Sequence, residues 1–275
     1  MGRGRKLECD RDFERALKNK YGVGQGSEYK PWLRIQDVKS KGKRSLIFGR
    51  KVHREHHMMS SIESEHFNLA EFSNSVVDIR EQFPLFPLNL TQKIAKIIGV
   101  EHPKHIKTKE PIIMTTDQLL TIQSPQGISY HAVSVKPEDD SDVIRTLEKQ
   151  DIERVYWELQ GVKFHFFTGN ELTKVQSNNL DWATSPFRKN SIGFLSEQTD
   201  LALSTIDTGQ CLVENICNRL ISLNAASHDE ALLLVRFLIT NRLIEVDLST
   251  NIPESGLIRV KSVAERTGGA IYGVS

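Results

Sequence analysis

The chain has 275 residues, 39% of them hydrophobic and 26% charged, a globular mixture that excludes a disordered or fibrous protein. The length suits one large domain or, better, two. Formal net charge is only +1, so no global basicity marks the chain for nucleic acid, and any such surface must be local.

The first twenty residues read as a basic, partly helical arm. No apolar core follows the basic start, so it is not a secretory signal. The glycine-rich YGVGQGSEYKPWL (21–33) comes next. It has no Lys-Ser/Thr after the glycines and no buried strand before them, which favours a structural turn over a nucleotide cradle. From Pro31 to His57 the pattern predicts strands joined by a polar hairpin, KSKGKR (39–44). A helix is expected from Ser60 or Ser61 to about Phe72, with Ile62, Phe67, Leu69 and Ala70 toward the core. Residues 76–85 read as a strand and 89–100 as a short amphipathic helix, followed by a polar loop with His102, Lys104, His105, Lys107 and Lys109.

Residues 112–122 are apolar and β-prone, SPQG (124–127) signals a turn, and ISYHAVSVK (128–136) is a second strand that Pro137 ends. Residues 142–161 predict a long helix stopped by Gly161, with Ile144, Leu147, Ile152, Val155 and Leu159 as its apolar side, then a buried strand over 162–168. Strands and helices mixed around one sheet predict a three-layer α/β/α domain over 1–170. Beyond it, over 171–275, the sequence turns mainly helical. Val213, Ile216, Leu220 and Leu223 fall at helical spacing, and Ser227 to Glu230 forms a capping box. Residues 242–248 and 256–263 then pair as a hairpin, a winged-helix-like outline. The longest apolar stretch, 231–239, contains Arg236 and is too short to span a bilayer. Cys9, Cys211 and Cys217 have no zinc-knuckle spacing and fit reduced thiols, so a soluble, cytoplasmic protein is expected.

The central hairpin carries the chemistry. Phosphodiester hydrolysis needs a hard divalent cation, a positioned water and a group to neutralise charge on the phosphorane oxygens. Asp117 lies in one strand, Ser134 and Lys136 lie two apart on the next, and period-two alternation puts them on one sheet face. The Val135 carbonyl reaches the same place. Glu63, sharing a helix face with Phe67 and Ala70, completes an acid, acid, x-Lys layout, that of the PD-(D/E)xK nucleases. Spacing alone leaves solvated strand-end charges as the alternative.

The phrases around these residues are more specific. GQG-x-x-Y-x-PWL (24–33), HH-x-x-S-x-x-E (56–63), DIREQFPL (78–85), TTD-x-L (115–119), VKP (135–137), and RTLEK followed by ER-x-YW (145–157) resemble the TnsA family in order and spacing. The resemblance covers the chain to about residue 170. It implies a Mg2+-dependent endonuclease, Mn2+ substituting, that cuts the 5′ strand at transposon ends, with an integrase-like TnsB partner and a TnsC-type ATPase. Double-stranded DNA is the implied substrate. The family's site falls on Glu63 and Asp117 as metal ligands and on Lys136 beside the attacking water. One departure is Ser134, which stands where the superfamily generally has Asp or Glu and a TnsA relative has glutamine; as a candidate ligand its neutral hydroxyl binds Mg2+ weakly or through a water, which predicts loose metal binding.

Other features have two readings. His53, His56, His57 and His66 suggest packing or phosphate contact rather than zinc, since no tetrahedral N/S set accompanies them. Lys39, Lys41, Lys43, Arg44, Arg50, Lys51 and Arg54 form a basic run without an acid, read as a phosphate-contacting edge or as a solvated hairpin. Glu148, Lys149 and Glu153 are expected in surface ion pairs, on a helix that alternatively flanks the site, and Tyr156 and Trp157 in the core. Two other functions compete: a stand-alone restriction-type nuclease, and a scaffold subunit whose cleavage has decayed.

Overall fold

A computed structural model of the chain describes residues 4–38, 43–137, 144–190 and 192–265, which fall into two units, Met1–Gly169 and Asn170–Ser275. The first unit begins with α1 (Asp10–Lys18), then the antiparallel pair β1 (Ser45–Phe48) and β2 (Glu55–Met58). Next come α2 (Ser61–Phe72), β3 (Val76–Pro84) and α3 (Leu88–Ile98). The hairpin β4 (Thr115–Ser124) and β5 (Gly127–Val135) follows, and α4 (Ile144–Leu159) leads to β6 (Lys163–Phe167). The sheet order is β3-β4-β5-β6, with β5 and β6 parallel and the other neighbours antiparallel. Gly127 closes the β4–β5 turn at φ 116°, a backbone region that a side chain would disfavour.

Helices cover both faces of this sheet. On one, Phe67 and Ala70 of α2, with Ile47 and Met58 of the small pair, pack on Ile79, Leu120, Val133 and Val135. On the other, Ile94 and Ala95 of α3 and Ile152, Tyr156 and Trp157 of α4 pack on Leu119 and Ala132. The result is the expected three-layer α/β/α, restriction-endonuclease-like architecture. Phe67 is fully buried, which contributes about 1.5–3 kcal/mol relative to exposure.

Three sequence expectations are corrected here. The turn between β1 and β2 lies at 49–54; of the expected hairpin KSKGKR (39–44), residues 39–42 lie outside the described residues, and Lys43 and Arg44 precede β1. The strand at 162–168 is not buried: β6 is the sheet edge, and Phe166 is 55% exposed. On α4, Ile144, Leu147 and Leu159 face solvent, whereas Gln150, Ile152, Glu153, Tyr156 and Trp157 form the buried face. That buried face holds two polar residues, so hydrophobic spacing alone misplaced it.

The second unit comprises α5 (Glu171–Thr184), α6 (Ser196–Thr205), β7 (Gly209–Leu212), α7 (Val213–Ser222), α8 (Ala231–Thr240), β8 (Ile244–Val246), α9 (Ile252–Ser255) and β9 (Leu257–Val263). Leu220, Leu234, Phe237, Leu238 and Ile244 centre its own core. β8 and β9 pair antiparallel, and β7 adds a third strand that the sequence did not signal. Before α8, the Ser227 amide and hydroxyl both donate to the Glu230 carboxylate, so this hydroxyl acts as a donor rather than as a cap acceptor. No helix of the described residues is long and apolar enough to cross a membrane.

Candidate active site

The β4–β5 register begins at Gln118 and Val133, so Asp117 and residues 134–136 lie just past its end. There the Asp117 carboxylate is turned onto the neighbouring strand. Its Oδ2 accepts from the Val135 amide at 2.7 Å and from Lys136 Nζ at 2.7 Å. Lys136 Nζ also donates to the Val135 carbonyl at 2.9 Å. The Lys136 side chain keeps about a third of its surface exposed, 34%, so this corner opens to solvent.

Glu63 arrives from the first turn of α2. Ser60 caps the helix by accepting from the Glu63 amide, and the Glu63 carboxylate reaches back to the Met59 amide (3.0 Å) and the Ser60 hydroxyl (3.2 Å). The capping geometry therefore fixes a buried carboxylate at the helix start. Gln82 of β3 links the two acids: its Nε2 donates to Glu63 Oε2 at 3.4 Å and to Asp117 Oδ1 at 3.5 Å.

Glu153 of α4 is the acid the sequence reading misplaced. It is buried, not a surface ion pair, and it senses the charges of Asp117 and Lys136. The hydroxyls of Thr116 and Ser134 lie against its carboxyl. Thr116 also accepts from the Trp157 indole at 2.6 Å. Neither Ser134 Oγ nor Glu153 Oε1 makes a hydrogen bond of ordinary geometry among the described residues. Ser134 thus sits beside Glu153, following Ala132 on the α4 face, while Val133 and Val135 face α2.

The electrostatics show a crowded pocket. Burial, reinforced by the Asp117 charge, pushes the Glu63 carboxyl up to about 8. The same two causes push Glu153 up to about 8. Burial works against the Lys136 ammonium, yet the Asp117 carboxylate outweighs it and holds the lysine well above its ordinary range. More acid is gathered here than one lysine compensates. Carboxylate and carbonyl oxygens suit a hard divalent cation, and Mg2+ commonly takes only one or two protein carboxylates, with water and phosphate completing the shell. Glu63, Asp117 and the Val135 carbonyl fit that pattern, although no group of three or more His, Cys, Asp or Glu arranged to hold a metal occurs among the described residues.

The basic run does not form a single edge. Arg54 is 8% exposed and pairs with the fully buried Glu81 at 2.6 Å, which corrects its reading as a DNA contact. Lys51 folds back onto the carbonyls of Ser73 and Val76. The Arg50 amide donates to Glu71 Oε1 at 2.6 Å. Lys43 and Arg44 are exposed, Arg44 donating to the carbonyls of Ile35 and Val38, and Lys39 and Lys41 lie outside the described residues. Among the histidines, His56 is buried against Glu81 (2.9 Å) and His66 bonds Gln118 (2.7 Å). Gln118 also donates to the Glu63 carbonyl at 2.8 Å, tying β4 to α2. Both glutamines escaped the sequence reading. No local signal marked them: Gln82 follows Asp78, Arg80 and Glu81 in a mixed strand, and Gln118 follows Asp117 in β4.

A carboxylate from a helix, a second at the end of a central strand and a lysine on the next strand, all on a three-layer α/β/α frame, define the restriction-endonuclease-like class. Within that class, residues 73–169 match the family model described as TnsA-like endonuclease N terminal. The transposon Tn7 transposition protein TnsA of Escherichia coli is 34% identical over 206 residues, 74% of either chain. The chain belongs to the TnsA-like endonuclease family.

Proposed function

We propose that this protein is the DNA endonuclease subunit of a transposase, cutting the 5′ strand at transposon ends together with a TnsB-type transposase and a TnsC-type ATPase. The observation that carries the reading is the shared hydrogen bonding of Asp117 Oδ2 to Lys136 and the Val135 amide, with Glu63 joined through Gln82. In this reading Glu63 and Asp117, with the Val135 carbonyl, would hold Mg2+, for which Mn2+ would substitute. The bound cation supplies Lewis-acid polarisation of the phosphate and a more acidic water.

The chain's own groups do the rest. Lys136 donates to the attacking water or to a non-bridging phosphate oxygen, offsetting charge as the water oxygen bonds to phosphorus and the P–O bond to the leaving sugar breaks. Glu153 brings from α4 a buried carboxyl beside Ser134, where the strand has no acid, within electrostatic reach of Lys136 and Asp117. Lys43 and Arg44, with Lys39 and Lys41, contact phosphates without reading sequence. The second unit, winged-helix-like in outline, binds DNA or a partner.

Ser134 favours one competing reading, a subunit that still assembles but cleaves poorly. Transposition products separate the two. In a reconstituted reaction with both partners and Mg2+, wild type yields simple insertions, whereas Asp117→Ala shifts products to cointegrates because one strand stays joined at each end. Unchanged products in that variant favour the scaffold. Cutting of naked DNA without partners favours a stand-alone nuclease.

A further inference from the structure

The contacts of the glycine-rich segment at 21–33 converge on β3. The Gly26 amide donates to Asp78 Oδ2 at 3.0 Å, and the Tyr29 hydroxyl donates to the Glu81 carbonyl at 3.0 Å. The Trp32 amide donates to the Gln82 carbonyl at 3.2 Å. Gly22 lies so close that a Cβ there would stand 2.5 Å from Pro84 Cγ. Tyr29 and Trp32 are themselves buried. The segment is therefore a clamp along the outer edge of β3.

At the middle of the clamped stretch Gln82 has φ 47°, the left-handed region, which a long side chain rarely adopts and which persists only where surroundings over-determine it. The residue is 3% exposed, and both polar atoms of its side chain are bonded. Nε2 faces Glu63 Oε2 and Asp117 Oδ1, and Oε1 accepts from the Thr115 hydroxyl at 3.0 Å. Bonds of 3.4 and 3.5 Å are individually weak. One amide reaching both carboxylates, however, sets their relative placement.

We propose that Gln82 is a positioning residue: held in a strained backbone by the 21–33 clamp, it fixes the spacing of Glu63 and Asp117 so that the pair accepts a divalent cation. This rests on the nuclease reading and adds to it. Gln82 touches the acids that would hold the cation, so its loss raises the metal requirement more than it lowers the rate at saturation.

Two variants of the full chain test it. Gln82→Gly removes the amide while suiting the left-handed backbone, and Gln82→Ala removes it while keeping the strain. Calorimetric Mn2+ titration of the DNA-free protein, and the Mn2+ dependence of end nicking with partners, are the readouts. Both variants are expected to weaken Mn2+ binding roughly 10–100-fold, as loss of a group orienting metal ligands does. Gln82→Gly is expected to melt at the higher temperature of the two. Tyr29→Phe, which removes one clamp contact, is expected to shift Mn2+ affinity in the same direction by a smaller factor. Wild-type Mn2+ affinity in Gln82→Gly overturns the proposal, as does an effect confined to melting temperature or maximal rate. Asp117→Ala run alongside separates the two ideas. If it nicks as well as wild type the nuclease site itself is wrong; if it is inert while Gln82→Gly keeps wild-type metal dependence, only the positioning role fails.

Discussion

Lys136 Nζ lies 2.7 Å from Asp117 Oδ2, on the same carboxylate oxygen that takes the Val135 amide. One oxygen thus gathers a lysine from the site and an amide from the end of β5, and the lysine stays charged because of it. In the proposed mechanism a charged lysine donating to the reacting phosphate is worth about as much as one preorganised oxyanion donor. Lys136→Met is therefore expected to lower the single-turnover rate of end nicking roughly 10²–10³-fold. Filter binding of the DNA ends by the assembled complex should change little. A rate within a fewfold of wild type would remove Lys136 from the chemistry.

Glu153 and Ser134 make opposite predictions despite their proximity. Glu153→Gln keeps the shape but removes the titratable carboxyl beside Lys136 and Asp117, and a roughly tenfold or greater loss of nicking is expected. Ser134→Ala removes a neutral hydroxyl that lies against Glu153 and is a weak donor to Mg2+, so the Mg2+ concentration for half-maximal nicking should stay within about twofold. A large rise in that concentration would make Ser134 a ligand after all.

Arg54 separates structure from DNA contact. Breaking its ion pair leaves the Glu81 carboxylate buried without its arginine, and Arg54→Met is expected to cost about 3–5 kcal/mol in urea unfolding. Lys43→Ala should leave stability unchanged and lower the salt slope of DNA binding by about 1. Equal stability of the two variants would contradict the assignment.

A pH dependence follows from Asp37, which binds Arg5 and Arg34. Burial raises its pKa, but the hydrogen bonds from both arginines more than reverse that and hold it at about 2, below the ordinary 3.8. A lowered carboxylate stabilises the fold above its ordinary pKa, and that contribution disappears as pH falls from about 4 to about 2. Asp37→Asn should flatten this part of the stability profile. Equal acid sensitivity of variant and wild type would contradict it.

How much of this was legible depends on whether a residue's role is local. Asp117 and Lys136 stand out because a two-residue period and a turn bring them together, and Glu63 because it shares a helix face with Phe67 and Ala70 inside the S-x-x-E phrase. Gln82 and Glu153 were illegible for the opposite reason. Glu153 lies among Lys, Gln, Asp and Arg on α4 and reads as solvated, and only packing against Thr116 and Ser134 reveals its burial. Arg54 misled in the same way: its acid partner lies 27 residues downstream on another strand. The layered fold was readable from alternating strand and helix patterns, whereas the edge position of β6 was not, because an apolar strand sequence does not say which of its sides is paired.

The most direct test is strand-resolved end cleavage by the complete complex in Mg2+, with wild type compared with Asp117→Ala on a denaturing gel. The account predicts that the variant loses the 5′-strand nick at both transposon ends while the partner's 3′-strand cut persists. Undiminished 5′ nicking by Asp117→Ala would contradict it.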